Sequence, residues 1–218
     1  MTHGANPAQD ERRELCELFL AVGPDAPTLC GDWTTRDLAA HLVMRERRPD
    51  GAAGILVSAF ADYAAKVQAS IAAMEWTELV DQVRTGPPIW MPTKLGAIDK
   101  LVNTVEFYVH HEDVRRAGDD WTSRELDDEL VNALTTMVAR AGRMLTRSSS
   151  VGIVLEPTDP QNAPMTPIVT NKAVPSVSVR GPIGELVLFV YGRQAHADVE
   201  LLGNDADVET VRNASFGV

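Results

Sequence analysis

Two patterns of hydrophobic and polar residues divide the chain near residue 147. Residues 8–146 carry apolar positions spaced three and four apart, the repeat of amphipathic helices, and turn residues separate the segments. Six helices are predicted, at 9–21, 35–47, 59–74, 77–84, 97–117 and 123–146. Because short connections favour antiparallel neighbouring helices, the pattern predicts a bundle built on four main helices.

Capping residues support two of the predicted helix starts. Thr34, followed three positions later by Asp37, has the spacing of a capping box in front of helix 35–47. Ser123 is the predicted N-cap of helix 123–146, whose first turn is acidic and therefore suits the positive end of the helix dipole.

The pattern from residue 148 onward is that of a small α+β domain. Strands are predicted at 151–155, 176–179 and 197–202, a short apolar helix at 185–191, and a last helix that ends near residue 213. The proline-rich stretch 157–175 predicts a loop or an edge strand. The predicted fold class is α+β, with a helical bundle at 1–147 and a small α+β domain at 148–218.

Composition excludes several classes of partner. The 218 residues include 20 Lys and Arg against 31 Asp and Glu, a formal charge of −11, which disfavours nucleic acid and anionic membrane surfaces. The longest apolar run, 186–191, is too short to span a bilayer, and the polar start has no signal-like segment. Two cysteines cannot form a disulfide framework. We therefore expect a soluble, cytoplasmic protein.

One side of helix 97–117 carries a polar row beside an apolar stripe. The row consists of Asp99, Asn103, Glu106, His110 and Asp113. Glu106 and His110 are four positions apart, so their side chains project from one face and can converge on one ion.

His41 is the predicted third ligand. It lies on the apolar face of helix 35–47, between Leu38 and Met44, where a core histidine with one hydrogen bond is the alternative. Two imidazoles and one carboxylate bind zinc or non-haem iron, and nickel also suits the set. Three protein ligands leave coordination positions open, which is typical of reactive sites.

Other chemistry-bearing residues receive secondary roles. Asp113 either orients the ring of His110 without binding the metal itself, or is a solvated carboxylate. His111 is either a surface residue or a residue that supports the site without binding the metal. Cys16 is expected to pack inside its helix. Cys30 can approach the site, although a buried structural role is favoured. The remaining histidines, His3 and His196, are expected to be incidental.

Two segments resemble the DinB-like metalloprotein superfamily, and within it the actinobacterial mycothiol-dependent maleylpyruvate isomerase type. They are 31–42, Gly-Asp-Trp-Thr-Thr-Arg-Asp-Leu-Ala-Ala-His-Leu, and 106–113, Glu-Phe-Tyr-Val-His-His-Glu-Asp. The resemblance implies that His41, Glu106 and His110 bind a divalent metal, usually zinc. The runs at 45–48 and 110–113 are closer to a metal-binding subgroup than to the isomerase itself, which leaves the substrate open.

The C-terminal segment 184–193 resembles the small domain of the same group, which is related to sterol-carrier proteins. The resemblance implies that an arginine of this domain contributes to catalysis. Arg193 is the matching position, and Arg180 is the alternative.

These observations lead to one main hypothesis and two alternatives. The main one is a metal-dependent isomerase or S-transferase that uses a low-molecular-weight thiol of the mycothiol type as cosubstrate. Its substrate is small, electrophilic and anionic, with Arg193 pairing a carboxylate, and the protein is a monomer or homodimer. The alternatives are a metal-dependent hydrolase with water as nucleophile, and a non-catalytic metalloprotein that binds a small molecule.

Overall fold

The computed structural model describes residues 6–48, 50, 61–88, 97–159 and 166–217, and this part of the chain contains eight α-helices and a four-stranded sheet. The helices are α1 Pro7–Val22, α2 Thr35–Arg47, α3 Ala61–Ala72, α4 Trp76–Thr85, α5 Ala97–Arg115, α6 Asp128–Leu145, α7 Ile183–Val190 and α8 Asp205–Arg212. The strands are β1 Gly152–Pro157, β2 Ile168–Asn171, β3 Ser176–Gly181 and β4 Glu200–Leu202. The predicted mixture of helices and a small sheet is confirmed.

Capping explains one success and one error among the predicted helix starts. Thr34 and Asp37 form the predicted capping box, and α2 begins at Thr35. The predicted start of α6 at Ser123 is wrong, because Asp127 is the N-cap and its carboxylate accepts a hydrogen bond of 2.8 Å from the amide of Leu130. An aspartate satisfies the free amide groups of the first turn in the same way as a serine.

The chain divides into two compact units, one of residues 8–121 and one chiefly of residues 122–217. Helix α6 belongs to the second unit, where it packs against β2 and α7. Gly142 permits that packing, because a Cβ atom there would lie 2.4 Å from Cγ2 of Thr170 in β2. The predicted boundary at 147/148 falls after α6, whereas this division falls before it, and as a statement about domains the boundary stays a prediction.

The first unit is held together by an apolar core and by ion pairs, among them the pair of Arg12 with Glu46. Helix α2 packs against α3 and α4, and its apolar residues share a core with those of α1 and α5. The guanidinium of Arg12 pairs with Glu46, donates to the carbonyl of Val83 at 2.7 Å, and lies 4.1 Å from the ring centroid of Phe107. These contacts join α1, α2, α4 and α5 around one cation.

The second unit contains a mixed sheet of order β2-β1-β3-β4. β1 pairs with β3 in parallel, and the two outer pairs are antiparallel. β2 is an edge strand, which confirms one of the two structures predicted for the proline-rich stretch. Every residue of α7 is buried, as its apolar sequence requires. The predicted strand 197–202 is reduced to β4, because the amide of Asp198 donates to Oε2 of Glu185 and the amide of Val199 donates to the carbonyl of Ala197, not to a neighbouring strand.

Among the described residues, no helix combines the length and apolar character that crossing a membrane requires.

Candidate metal centre

Helices α2 and α5 bring the three predicted ligands together. Nε2 of His41 lies 3.6 Å from Oε1 of Glu106, and Nε2 of His110 lies 3.4 Å from the same oxygen. One ligand atom from each residue lies within 4.8 Å of the other two. The imidazole rings of His41 and His110 meet edge to face, with centroids 5.6 Å apart. This set can hold one divalent ion.

Glu106 is held in its charged form. Burial alone raises its pKa, but the contacts with His110 and His41 outweigh burial and hold the pKa of Glu106 well below its usual range. Nε of Arg45, one turn after His41 on α2, lies 3.3 Å from Oε1 of Glu106 and adds to this effect. Arg45 also donates a hydrogen bond of 2.8 Å to Asn103. The carboxylate is therefore ionised and ready to bind a cation.

Asp113 supports His110 from the side opposite Glu106. Its Oδ2 lies 2.9 Å from Nδ1 of His110, and its side chain is 0% exposed. Burial alone lowers the pKa of His110, but Asp113, Cys30 and Glu106 together raise that pKa well above its usual value. The burial of Asp113 excludes the solvated carboxylate considered as its alternative. A carboxylate on Nδ1 leaves Nε2 as the nitrogen that faces Glu106.

The loop 27–34 reaches both histidines. The thiol of Cys30 donates to Oδ2 of Asp113 at 3.1 Å, and its sulfur lies 3.8 Å from Nδ1 of His110. The ring centroid of Trp33 lies 5.2 Å from that of His41. Sequence reasoning missed Trp33 and Arg45. The position of Trp33 just before α2, and that of Arg45 one helical turn after His41, were the sequence features that could have pointed to them.

Cys30, His110 and Asp113 form a second possible ligand set that shares His110 with the first. A neutral imidazole offers a lone pair on only one ring nitrogen at a time. Because Asp113 accepts the Nδ1 proton, the lone pair falls on Nε2, on the side of Glu106 and His41. The geometry therefore favours the set His41, Glu106 and His110.

His111 lies apart from this cluster. It is buried, and its Nδ1 lies 2.9 Å from Oε2 of Glu11 on α1. Of the two predicted roles, the surface residue is excluded, because the 100° step from His110 turns His111 towards α1, and support of the metal centre by His111 stays a prediction. Glu11, Glu14 and His111 form a third close group of possible ligands.

The candidate arginines belong to the second unit. Arg193 follows α7, is half-buried, and donates to the carbonyl of Tyr191 at 2.6 Å. Arg180 is exposed on β3 and pairs with Glu156 at 2.9 Å. A role for either arginine at the metal centre stays a prediction.

The remaining candidates are Cys16, His196 and His3. Cys16 is fully buried and donates to the carbonyl of Val80 at 3.8 Å, which confirms its packing role. Burial raises the pKa of its thiol to about 12. His196 is half-buried in the 3₁₀ turn, and His3 lies outside the described residues.

The fold and the site define a class: helical proteins with a His-Glu-His cluster and a small mixed sheet after the helices. Comparison with solved structures finds this fold in the crystal structure of the mycothiol-dependent maleylpyruvate isomerase, with a TM-score of 0.59 and 14% identity over 89% of this chain and 90% of that one. A histidine-to-alanine mutant of that enzyme matches with a TM-score of 0.58, again at 14% identity and with the same coverage of both chains. No protein-family model and no curated protein matches the sequence. The predicted resemblance to the mycothiol-dependent maleylpyruvate isomerase type is confirmed at the level of the fold.

Proposed function

We propose that the chain is a divalent-metal-dependent enzyme that uses a mycothiol-type thiol to isomerise, or to transfer sulfur to, a small electrophilic anionic substrate. The observation that carries this proposal is the convergence of His41 and His110 on one oxygen of Glu106. The fold of a mycothiol-dependent isomerase supports the reaction class.

The donor set fits a divalent ion. Two neutral imidazoles and an ionised carboxylate suit zinc, and nickel or ferrous iron are also compatible. A buried carboxylate behind Nδ1 of a histidine is the usual support of a metal-ligating imidazole, and Asp113 occupies that position. His41, Glu106 and His110 would hold the ion. When bound, it supplies positive charge that favours the thiolate over the thiol of a cosubstrate.

The neighbouring residues keep the ligands in place and limit contact with water. Arg45 anchors Glu106 from α2 and also holds Asn103 one turn before Glu106 on α5. The ring of Trp33 covers His41. These side chains fix two of the three ligands before any ion binds, and preorganisation of this kind increases affinity.

The reactive sulfur is proposed to come from outside the chain. The thiol of Cys16 is buried, and its pKa of about 12 makes the thiolate scarce at neutral pH. Cys30 uses its thiol hydrogen in the bond to Asp113. Cys16 therefore lacks the exposure of an activated nucleophile, and the thiol of Cys30 is engaged by Asp113.

The finer organisation also forms part of the proposal. The helical unit is a DinB-like four-helix bundle of the actinobacterial metal-binding subgroup, and the sheet-containing unit is a sterol-carrier-like domain. Arg193, or else Arg180, pairs a substrate carboxylate. The protein acts in the cytoplasm as a monomer or homodimer, without a nucleic-acid or membrane partner.

Metal content and thiol dependence test the proposal together. Untagged protein is analysed by mass spectrometry for bound metal, and isomerisation of maleylpyruvate, the substrate named for the structural neighbour, is followed with and without mycothiol. We expect one ion per chain, loss of that ion in His41→Ala and Glu106→Ala, and turnover only with thiol. His196→Ala is the matched control and keeps the ion.

Three results would contradict parts of the proposal. Full metal occupancy in both ligand variants would refute the site. Turnover that persists after complete removal of thiols would refute the thiol dependence and favour a hydrolase. Bound metal without turnover of any small electrophile tested would favour a non-catalytic binding protein.

A further inference from the structure

The thiol of Cys30 enters the hydrogen-bond network of the candidate metal centre from outside the ligand set. Its sulfur lies 3.1 Å from Oδ2 of Asp113, the same oxygen that lies 2.9 Å from Nδ1 of His110. Two donors therefore converge on one buried carboxylate oxygen. The orientation of that carboxylate depends on both of them.

The loop that carries Cys30 is fixed by its own hydrogen bonds. The hydroxyl of Thr28 accepts from the amide of Cys30 at 3.1 Å and donates to the carbonyl of Trp33 at 2.8 Å. The amide of Leu29 donates to the carbonyl of Asp113 at 3.0 Å, which ties the loop to α5 beside the site. The sulfur is thus held at a defined point relative to Asp113.

We propose that Cys30 is a positioning residue of the metal centre: its thiol fixes the carboxylate of Asp113, which holds His110 with Nε2 towards Glu106 and His41. This inference rests on the proposed function. Loss of the thiol donor removes one restraint on this carboxylate, and a rotation of the carboxylate weakens the bond that orients the imidazole.

The same sulfur would have a different role if it were itself a ligand, in the set Cys30, His110 and Asp113. That arrangement requires the lone pair of His110 on Nδ1, and it leaves Glu106 and His41 without the shared histidine. The contact of Asp113 with Nδ1 places a proton on that nitrogen instead. A positioning role is therefore the better account of the geometry.

Zinc affinity in three variants tests the inference. The dissociation constant is measured by competition with a chromogenic chelator for the wild type, Cys30→Ala, Cys30→Ser and Cys16→Ala. We expect Cys30→Ala to weaken zinc binding by about tenfold or more, the range for residues that hold metal ligands from behind. Cys30→Ser keeps a donor and should bind within about threefold of the wild type. Cys16→Ala removes the other thiol and should leave zinc affinity unchanged.

Two further measurements separate positioning from general structure and from ligation. The melting temperature of each metal-free variant shows whether folding alone explains a loss of affinity. The absorption spectrum of the cobalt form shows whether sulfur touches the metal, because a bound thiolate gives a charge-transfer band in the near ultraviolet. We expect a cobalt spectrum without that band.

The outcomes are distinct. If Cys30→Ala binds zinc as tightly as the wild type, the positioning role of Cys30 is refuted, but the proposed function is not. A thiolate band in the cobalt spectrum has the same consequence. Equal losses in Cys30→Ala and Cys30→Ser also refute it, because the serine hydroxyl retains a donor. A wild type that binds no divalent ion refutes the proposed function itself, and the role of Cys30 falls with it.

Discussion

Replacing Asp113 by asparagine tests the charge network behind His110 with little change of shape. The side chain of Asp113 is 0% exposed, and its Oδ2 contacts Nδ1 of His110 at 2.9 Å and the thiol of Cys30 at 3.1 Å. An asparagine side chain is nearly isosteric with that of aspartate, but it carries no charge.

The expected loss of zinc affinity follows from the change in the hydrogen bond between residue 113 and His110. A charge-assisted hydrogen bond becomes a neutral one, and changes of this kind behind a metal-ligating histidine reduce metal affinity about 10- to 100-fold, or about 1.4–2.7 kcal/mol. We therefore expect Asp113→Asn to bind zinc at least tenfold more weakly than the wild type at alkaline pH, where competition from protons is smallest.

Proton competition gives this prediction a pH dependence with a definite sign. In the metal-free protein the pKa of His110 is raised well above its usual value, and a metal ion must displace that proton. Wild-type zinc affinity should therefore rise by up to tenfold per pH unit until the pH passes the folded pKa. Removing the carboxylate lowers the pKa of His110, so the affinity of Asp113→Asn should level off at a lower pH.

Zinc titration at several pH values, from about pH 6 to about pH 9, checks both parts of the prediction. Asp81→Asn is the matched control, because it removes one exposed carboxylate from the same unit. The reasoning is refuted if Asp113→Asn and the wild type show the same affinity and the same pH dependence. It is also refuted if the affinity gap between them narrows as the pH rises.

Three further predictions concern the ligands and the packing of the second unit. Glu106→Gln should lose bound zinc in mass spectrometry, because the neutral amide removes the only carboxylate of the proposed set; wild-type occupancy would contradict this. In the metal-free protein, the raised pKa of His110 stabilises the fold below the unfolded value near 6.5, and the lowered pKa of Glu106 stabilises it above about 4.5. Chemical denaturation should therefore show a stability contribution that is greatest between these values and falls as pH rises through the folded pKa of His110. This contribution should be smaller in Glu106→Gln but not absent, because Asp113 and Cys30 still raise the pKa of His110. Gly142→Ala should lower stability by about 1–3 kcal/mol because its Cβ would meet Thr170, whereas Gly118→Ala, which has open space, should not; equal melting temperatures would refute this packing argument.

The clearest sequence signals were local ones. Helix α2 follows from a capping box at Thr34 and Asp37, and the pair Glu106 and His110 follows from the four-residue spacing that places both side chains on one face. Such features depend on residues within one or two helical turns, so they are visible before the chain folds. The start of α6 was missed because Ser123 and Asp127 are both suitable caps, and the structure uses the second.

The sequence by itself determined which helix faces carry chemistry, and it named His41, Glu106 and His110 as a set. The tertiary structure decided what surrounds them. It placed Cys30 next to Asp113 and His110, Arg45 against Glu106, and His111 against Glu11. The physical reason is that these contacts join residues on separate helices or loops. Their distances depend on how α1, α2, α5 and the loop 27–34 pack, and no periodicity within one segment encodes that packing.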